Sequence, residues 1–170
     1  MKYIFAGLFF LPFGLFAQEC ALKKEIDKFS NQPKVTTGFF PLSSGSDKIL
    51  VSIEATATDI DILFALNNGG DQRCFVDAST AQVNYDGTRL KTNYRNSGSM
   101  NCEGLFHFNY RNTPVTPSNL VKLSTTKVGS IRFTGNNKTI TDVQLTEEDK
   151  VRLMDMTACI IKEAQALQKK

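Results

Sequence analysis

Strict alternation of apolar and polar residues between Ile49 and Leu66 constrains the fold of this chain more than any other feature. Apolar side chains occupy every second position, which is the period of a β-strand with one buried face. The phase shifts by one residue near Thr58-Asp59, and such a slip indicates a bulge or a tight turn. The apolar positions are Ile49, Val51, Ile53, Ala55 and Ala57 before the slip, and Ile60, Ile62, Phe64 and Leu66 after it. The segment therefore predicts half-buried strands on both sides of residues 58–59.

The rest of the middle of the chain also has strand character. Asp86-Gly87 is typical of a two-residue type I′ hairpin loop, which would place Val83 opposite Leu90. Residues 93–104, rich in Asn, Ser and Gly, predict a long loop. Further strands are predicted over residues 35–42, 105–110, 120–123, 128–134 and 138–145, with Phe106, Phe108 and Tyr110 on a core face and Gly135-Asn136-Asn137 as a turn.

Helical patterns occur at both ends. Leu22, Ile26 and Phe29 are spaced by four and three residues, which predicts a short amphipathic helix within residues 20–30. A long helix is predicted after Thr146, a good N-cap, because acidic residues follow it at once and apolar residues then recur at helical spacing. The fold class is therefore α+β: an antiparallel sheet of hairpin-connected strands packed by an N-terminal short helix and a long C-terminal helix.

The first seventeen residues have the features of a secretory signal. Lys2 supplies a positive charge, an apolar run extends from Ile4 to Phe16, and Ala17 is the small residue at the expected cleavage point. The run is shorter than the roughly 20 residues that a spanning helix needs. We therefore expect an exported protein, periplasmic or secreted, with a signal peptide over residues 1–17, one domain over residues 18–170 and no transmembrane segment after signal removal.

The four cysteines all follow the predicted signal. An even number of cysteines in an exported chain favours two disulfides over metal or redox chemistry, and no CxxC motif is present. Three pairings are possible. The favoured one joins Cys74 to Cys102, between two polar stretches, and Cys20 to Cys159, between the start of the domain and the last helix. Four free thiols are the alternative.

Composition argues against several classes of ligand. The formal net charge is only +3 and the basic residues are scattered, so a nucleic-acid surface is not expected. His107 is the only histidine, which leaves the common zinc sites short of ligands. Asn67 to Asp71 is rich in oxygen ligands but lacks the spacing of a calcium loop, and the glycines match no phosphate or dinucleotide motif. No metal or cofactor is predicted.

Catalytic candidates are few. His107 is expected on the polar side of its strand, opposite Phe106 and Phe108, and no serine lies in a Gly-x-Ser-x-Gly motif. Four carboxylates attract attention as possible acid–base pairs: Asp59, Asp61, Asp71 and Asp77. Turns and solvent-facing positions explain them more simply, so no catalytic residue is predicted.

The C-terminal third carries a resemblance. Residues 128–135 (VGSIRFTG), then residues 143–149 (VQLTEED) leading into a helix with Cys159, resemble the ends of small uncharacterised secreted proteins of Bacteroidetes-type bacteria. The resemblance implies a bacterial envelope location. It implies no catalytic residue.

These observations favour a non-enzymatic exported binding domain whose partner is another envelope or secreted protein. The loops at residues 93–104 and 67–71 are the expected recognition elements, because exposed loops on a rigid sheet often bind partners. A small secreted hydrolase using His107 or the four aspartates is one alternative. A carrier with an apolar pocket between sheet and helices is the other.

Overall fold

The computed structural model describes residues 20–28, 30–44, 47–66 and 74–168. The predicted signal peptide and the predicted turn at residues 67–71 lie outside these residues. In chain order the elements are β1 (Lys23–Ile26), β2 (Pro33–Thr36), β3 (Phe40–Ser44), β4 (Asp47–Ala55), β5 (Asp59–Leu66), β6 (Thr80–Tyr85), β7 (Lys91–Arg95), β8 (Leu105–Arg111), α1 (Ser118–Thr125), β9 (Val128–Thr134), β10 (Ile140–Gln144) and α2 (Glu147–Leu167).

The described strands form two antiparallel sheets. The large sheet has the order β1-β2-β4-β5-β8. β2 and β3 pair with the same edge of β4, β2 at its C-terminal end and β3 at its N-terminal end. The small sheet has the order β10-β9-β6-β7. Together with the two helices they make an α+β fold, so the predicted class and the antiparallel pairing are confirmed. The expected single sheet is instead two sheets.

The two sheets pack through aromatic rings. Phe133 of β9 lies 5.5 Å from Phe64 of β5 and 5.3 Å from Phe106 of β8, between ring centroids. Phe75, in the connection before β6, contacts Phe106 at 5.2 Å in a T-shaped arrangement. These side chains are at most 1 % exposed. They join residues of both helices in one hydrophobic core.

The alternation that predicts the central strands is confirmed. Every apolar position of β4 and β5 named above faces the core and is buried, apart from Ala57 in the turn. The phase slip corresponds to a tight turn at residues 56–58, where the Thr56 N–H donates to the Asp59 carbonyl at 2.8 Å. The Thr56 hydroxyl accepts from the Asp59 N–H at 3.1 Å. This turn sets the register of the β4–β5 pair.

The C-terminal helix is confirmed together with its cap. The Thr146 side chain accepts from the Asp149 N–H at 3.2 Å, and Glu147 and Glu148 place negative charge at the positive end of the helix dipole. Leu153, Ile160 and Ala164 are buried against the core. No helix within the described ranges is long and apolar enough to cross a membrane.

Two disulfides are present, Cys20–Cys159 and Cys74–Cys102. They are the two pairs that the cysteine positions favour. The first ties the start of the described chain to α2. The second joins the segments that precede β6 and β8. Intramolecular disulfides of this kind are compatible with an oxidising extracellular environment.

The predicted N-terminal helix is wrong, because residues 23–26 form β1, which pairs antiparallel with β2. A helix of this length is marginal by itself, and an adjacent strand offers more hydrogen bonds. Asp27 fixes the reversal: its carboxylate accepts from the Ser30 N–H at 3.0 Å, and its N–H donates to the Gln32 carbonyl at 2.8 Å. Lys34 of β2 then pairs with Glu25 of β1.

The short helix lies elsewhere. Residues 120–123, predicted as a strand, belong to α1, which buries Leu120 and Leu123 on one face. Four residues are too few to separate a strand period from a helical one. The predicted strand over residues 35–42 is also interrupted, since Gly38 adopts a positive φ of 64° between β2 and β3.

The hairpin after β6 has a longer loop than predicted. Val83 pairs with Thr92, and the Tyr85 N–H donates to the Leu90 carbonyl at 3.2 Å. Four residues therefore separate Tyr85 from Leu90, and Leu90 is 50 % exposed. Thr92 takes the predicted place of Leu90 opposite Val83, and Leu90 lies outside the strand. The shift of two residues keeps the side chains of β7 on their predicted faces, because side chains alternate with a period of two.

Because Phe133 fills the space between the sheets, Phe133→Ala is expected to lower the free energy of unfolding by about 3–5 kcal/mol. The same change at Phe39, which is 60 % exposed, is expected to have an effect within about 0.5 kcal/mol. Denaturant unfolding of the disulfide-bonded domain measures both values. Equal effects of the two substitutions would contradict this account of the core.

Candidate functional site

A row of charged side chains crosses the outer face of the large sheet. Lys34 of β2 lies between two carboxylates, with its Nζ 3.3 Å from Glu25 of β1 and 3.1 Å from Glu54 of β4. Glu54 stands directly opposite Asp61 of β5. Asp61 in turn contacts His107 of β8. The row spans five strands: Glu25–Lys34 and Glu54–Asp61 are direct cross-strand neighbours, whereas Lys34–Glu54 and Asp61–His107 meet diagonally. We call these five residues the charge row.

Among the polar pairs of the charge row, His107 and Asp61 most resemble a catalytic arrangement. The imidazole Nδ1 lies 2.8 Å from Asp61 Oδ2, and the two side chains are 27 % and 30 % exposed. The hydrogen bond with Asp61 raises the pKa of His107 above its usual 6.5, although partial burial opposes this, and the negative charge of Asp61 raises the pKa further. Asp61 thus orients the ring through Nδ1. Within the described chain Nε2 makes no hydrogen bond.

Two central members of the charge row carry the same charge. Glu54 and Asp61 are direct cross-strand neighbours, an arrangement that is unfavourable unless opposite charges compensate it. Lys34 compensates Glu54 from one side, and the Thr36 hydroxyl donates to Glu54 at 3.3 Å. His107 compensates Asp61 from the other side only while it is protonated.

An apolar patch adjoins the charge row on the same outer face. Leu50, Ala65 and Leu105 form one cross-strand line over β4, β5 and β8, and Leu63 pairs with His107 in the next line. Leu50 is 37 % exposed and the other three are partly exposed. Apart from Ser52, which is buried beside Leu63, the buried side chains of these strands point to the opposite face, where the small sheet and the helices pack. We call these four residues the apolar patch.

The segment over residues 96–101, which we call the strap, runs along the free edge of β8. Gly98 lies against the His107 ring so closely that a Cβ there would be 2.5 Å from Cδ2. Any larger residue would therefore displace the imidazole or the strap. The position of His107 depends on both Asp61 and Gly98.

Side chains of the strap take the place of a neighbouring strand. The Asn101 amide accepts from the Leu105 N–H at 3.0 Å and donates to the Leu105 carbonyl at 2.9 Å. The Asn96 side chain accepts from the His107 N–H at 2.9 Å. The Ser97 N–H donates to the His107 carbonyl at 3.1 Å, and its hydroxyl accepts from the Asn109 N–H at 3.2 Å. Such bonds occupy the backbone groups of an edge that would otherwise be free to pair with other chains.

The carboxylates singled out in the sequence lie in different environments. Asp61 meets His107, whereas Asp59 faces Arg111 at 3.9 Å at the exposed end of the sheet. Asp77 is exposed in the connection before β6. Asp71 lies outside the described residues. Of the candidates in the described residues, the structure thus brings Asp61 and His107 together.

Glu54 and Lys34 were missed by sequence reasoning. The signal for Glu54 was present, since a tight turn at residues 56–58 places it opposite Asp61. Lys34 had no such signal, because it follows a segment predicted as a helix. For the residues that the structure describes, no three His, Cys, Asp or Glu side chains are arranged to hold a metal ion.

Two open grooves lie apart from the apolar patch, and the wall of the first includes Glu25 and Lys34 of the charge row. One, of about 280 Å³, runs between the β1–β2 hairpin and the end of α2, with Ile26, Pro33 and Leu167 in its wall. Lys24 and Glu163 pair across it at 2.8 Å. The other, of about 410 Å³, lies along the exposed side of α2 near Val151 and Met156. Neither is enclosed between the sheets.

The chain matches no protein-family model, and no curated protein or solved structure shows significant similarity to it.

The raised pKa of His107 predicts how stability depends on pH. Because folding favours the protonated ring, the contribution of the His107–Asp61 pair is fully present below pH 6.5 and is lost as the pH rises through the folded-state pKa. His107 is the only histidine, so its imidazole signals in an NMR titration report one group. The midpoint should exceed 6.5 and should fall in Asp61→Asn. An unchanged midpoint in that variant would contradict the assignment.

Proposed function

We propose that this protein is an exported binding module of the bacterial envelope, periplasmic or secreted, and that it presents the outer face of the large sheet to another protein. The apparent signal sequence, the two disulfides and the resemblance of the C-terminal third support the location. The partner's docking surface consists of the apolar patch and the charge row.

The observation that carries the proposal is the apolar patch itself. Monomeric soluble proteins rarely leave adjacent apolar side chains on a surface without a use for them. Here four such side chains adjoin one another on three paired strands, and Leu50 is 37 % exposed. The outward positions of the small sheet carry polar pairs by contrast, with Arg132 bonded to Asp142 at 2.7 Å and Gln82 to Asn93 at 3.2 Å. Its exposed Ile140 pairs with Thr134 and not with another apolar residue.

The charge row specifies the chemistry of the partner. Glu54 and Asp61 stand side by side, and above the pKa of His107 the ion pairs of the described residues leave them one fully charged basic neighbour, Lys34. A Lys or Arg side chain from a partner would relieve this repulsion and gain a charge-assisted hydrogen bond. The fitting partner is therefore a protein segment in which apolar residues are followed by a basic residue.

A second candidate function is hydrolysis, and the His107–Asp61 pair is the observation that favours it. A carboxylate that orients a histidine is the base-and-orienter half of a catalytic triad. The nucleophile half is not assembled within the described chain, where Nε2 has no Ser, Thr or Cys partner. His107 would then have to act on a bound water. Cleavage of a bound peptide by the wild type that is lost in His107→Gln would favour this role, whereas a peptide that binds and stays intact would favour the binding role.

The carrier hypothesis receives less support from the interior. Phe64, Phe75, Phe106 and Phe133 fill the space between the sheets and are at most 1 % exposed. Both grooves described above are open to solvent. A carrier of a small apolar ligand would need an enclosed site of several hundred Å³.

Selection of random peptides displayed on phage against immobilised residues 18–170 tests the proposal. Enriched peptides are expected to combine apolar residues with Lys or Arg. Their affinity should fall about tenfold or more in Leu50→Lys, because the change places a charge in the apolar patch. Glu54→Gln should weaken binding and reduce its dependence on salt.

Ile140→Lys is the matched control, since Ile140 is 56 % exposed on a strand of the small sheet. It introduces the same charge outside the proposed surface and should leave peptide affinity unchanged. Peptides that bind equally to Leu50→Lys, or that lose affinity in Ile140→Lys instead, would overturn the proposed surface.

A further inference from the structure

The free edge of β8 is satisfied almost wholly by side chains of the strap. Leu105, His107 and Asn109 direct their backbone groups away from β5, at alternate positions along the strand. Asn96, Ser97 and Asn101 bond to both backbone groups of Leu105 and His107 and to the Asn109 N–H. In a continuous sheet another strand would make these bonds. The edge is thus a pairing edge that the chain's own strap occupies.

The strap is anchored at one end by two tethers. Asn101 forms a two-way backbone bridge with Phe75, with N···O distances of 2.8 and 2.9 Å. Cys102, the next residue, is bonded to Cys74. Cys102 is exposed and Cys74 is partly exposed, so the disulfide is accessible to an attacking thiolate. Loss of this disulfide would leave the strap, which joins β7 to β8 in the chain, held in place by hydrogen bonds, among them that of the Asn96 N–H to the Ser79 carbonyl at 2.9 Å.

We propose that the Cys74–Cys102 disulfide is a redox latch on a strand-pairing edge. Its reduction releases the strap, and β8 then pairs antiparallel with β8 of a second copy of this chain. The inference concerns backbone pairing at the sheet edge and is independent of the side-chain surface assigned above.

The chemistry requires a dithiol reductant. One thiolate of the dithiol attacks Cys102 Sγ, the Cys74–Cys102 bond breaks, and Cys74 leaves as a thiolate that takes up a proton. The second thiol of the reductant then attacks the mixed disulfide and releases Cys102, also protonated. Two electrons pass to the protein, and the reductant ends as a disulfide.

A second copy fits this edge by symmetry. In an antiparallel pairing centred on His107, each His107 lies opposite its counterpart and Leu105 lies opposite Asn109. Every backbone group that the strap now satisfies would then bond to the same strand of the partner. A two-fold axis perpendicular to the sheet keeps Phe106 and Phe108 of both copies on one face, so both cores remain covered. A strand in another register would leave some of these groups unpaired.

The test is the mass of Cys74→Ser/Cys102→Ser in solution, measured by analytical ultracentrifugation under oxidising conditions. This double variant is expected to form dimers, whereas the wild type remains monomeric. Amide hydrogen exchange at Leu105, His107 and Asn109 should be slow in the dimer. Cys20→Ser/Cys159→Ser is the matched control, because it removes the other disulfide and leaves the strap tethered, and it should stay monomeric.

Partial reduction of the wild type with dithiothreitol provides a second readout that needs no variant to fold. Alkylation followed by mass spectrometry should find Cys74 and Cys102 reduced before Cys20 and Cys159, with dimer appearing in step. A double variant that folds and stays monomeric would overturn the proposal. So would a dimer whose three β8 amides exchange rapidly, or reduction of Cys20–Cys159 first without loss of the Cys74–Cys102 bond.

Discussion

The contact of Phe133 with Phe64 and Phe106 is the interaction on which the other features depend. It holds the small sheet against the inner face of the large one and so fixes which side chains of β5 and β8 are buried. Because side chains alternate along a strand, burial of these rings commits Asp61 and His107 to the outer face. The charge row is therefore a consequence of the core: a slip of one residue in either strand would bury the charges and expose the rings.

Local patterns account for the parts of the fold that were predictable. The slip at residues 58–59 marks the β4–β5 turn, and Thr146 marks the start of α2, because a tight turn and a helix cap are each determined within a few residues. The predictions for residues 20–30 and 120–123 were wrong for the opposite reason. Each segment is short, and its conformation is decided by what it packs against: β2 in the first case, and in the second a core that receives Leu120 and Leu123 on one helical face.

The candidate site shows the same division. Alternation alone places His107 and Asp61 on polar faces, but they meet only because β8 pairs with β5. The β6–β7 hairpin of the small sheet lies between these two strands in the chain. That pairing leaves no local trace in the sequence. The Asn- and Ser-rich composition of residues 93–104 predicts a loop for a sound reason, since these side chains bond to nearby backbone. The structure uses that capacity on β8, where Asn96 and Asn101 replace a strand.

The outer face and the β8 edge, the two surfaces proposed for recognition, differ in chemistry although they belong to one sheet. The face presents side chains, those of the apolar patch and the adjacent carboxylates Glu54 and Asp61, with both disulfides formed. The edge presents backbone groups, and the strap occupies it while Cys74 and Cys102 are joined. The two meet at His107, whose ring belongs to the face and whose backbone belongs to the edge. Release of the strap removes Gly98 from that ring, so opening the edge would also loosen one end of the charge row.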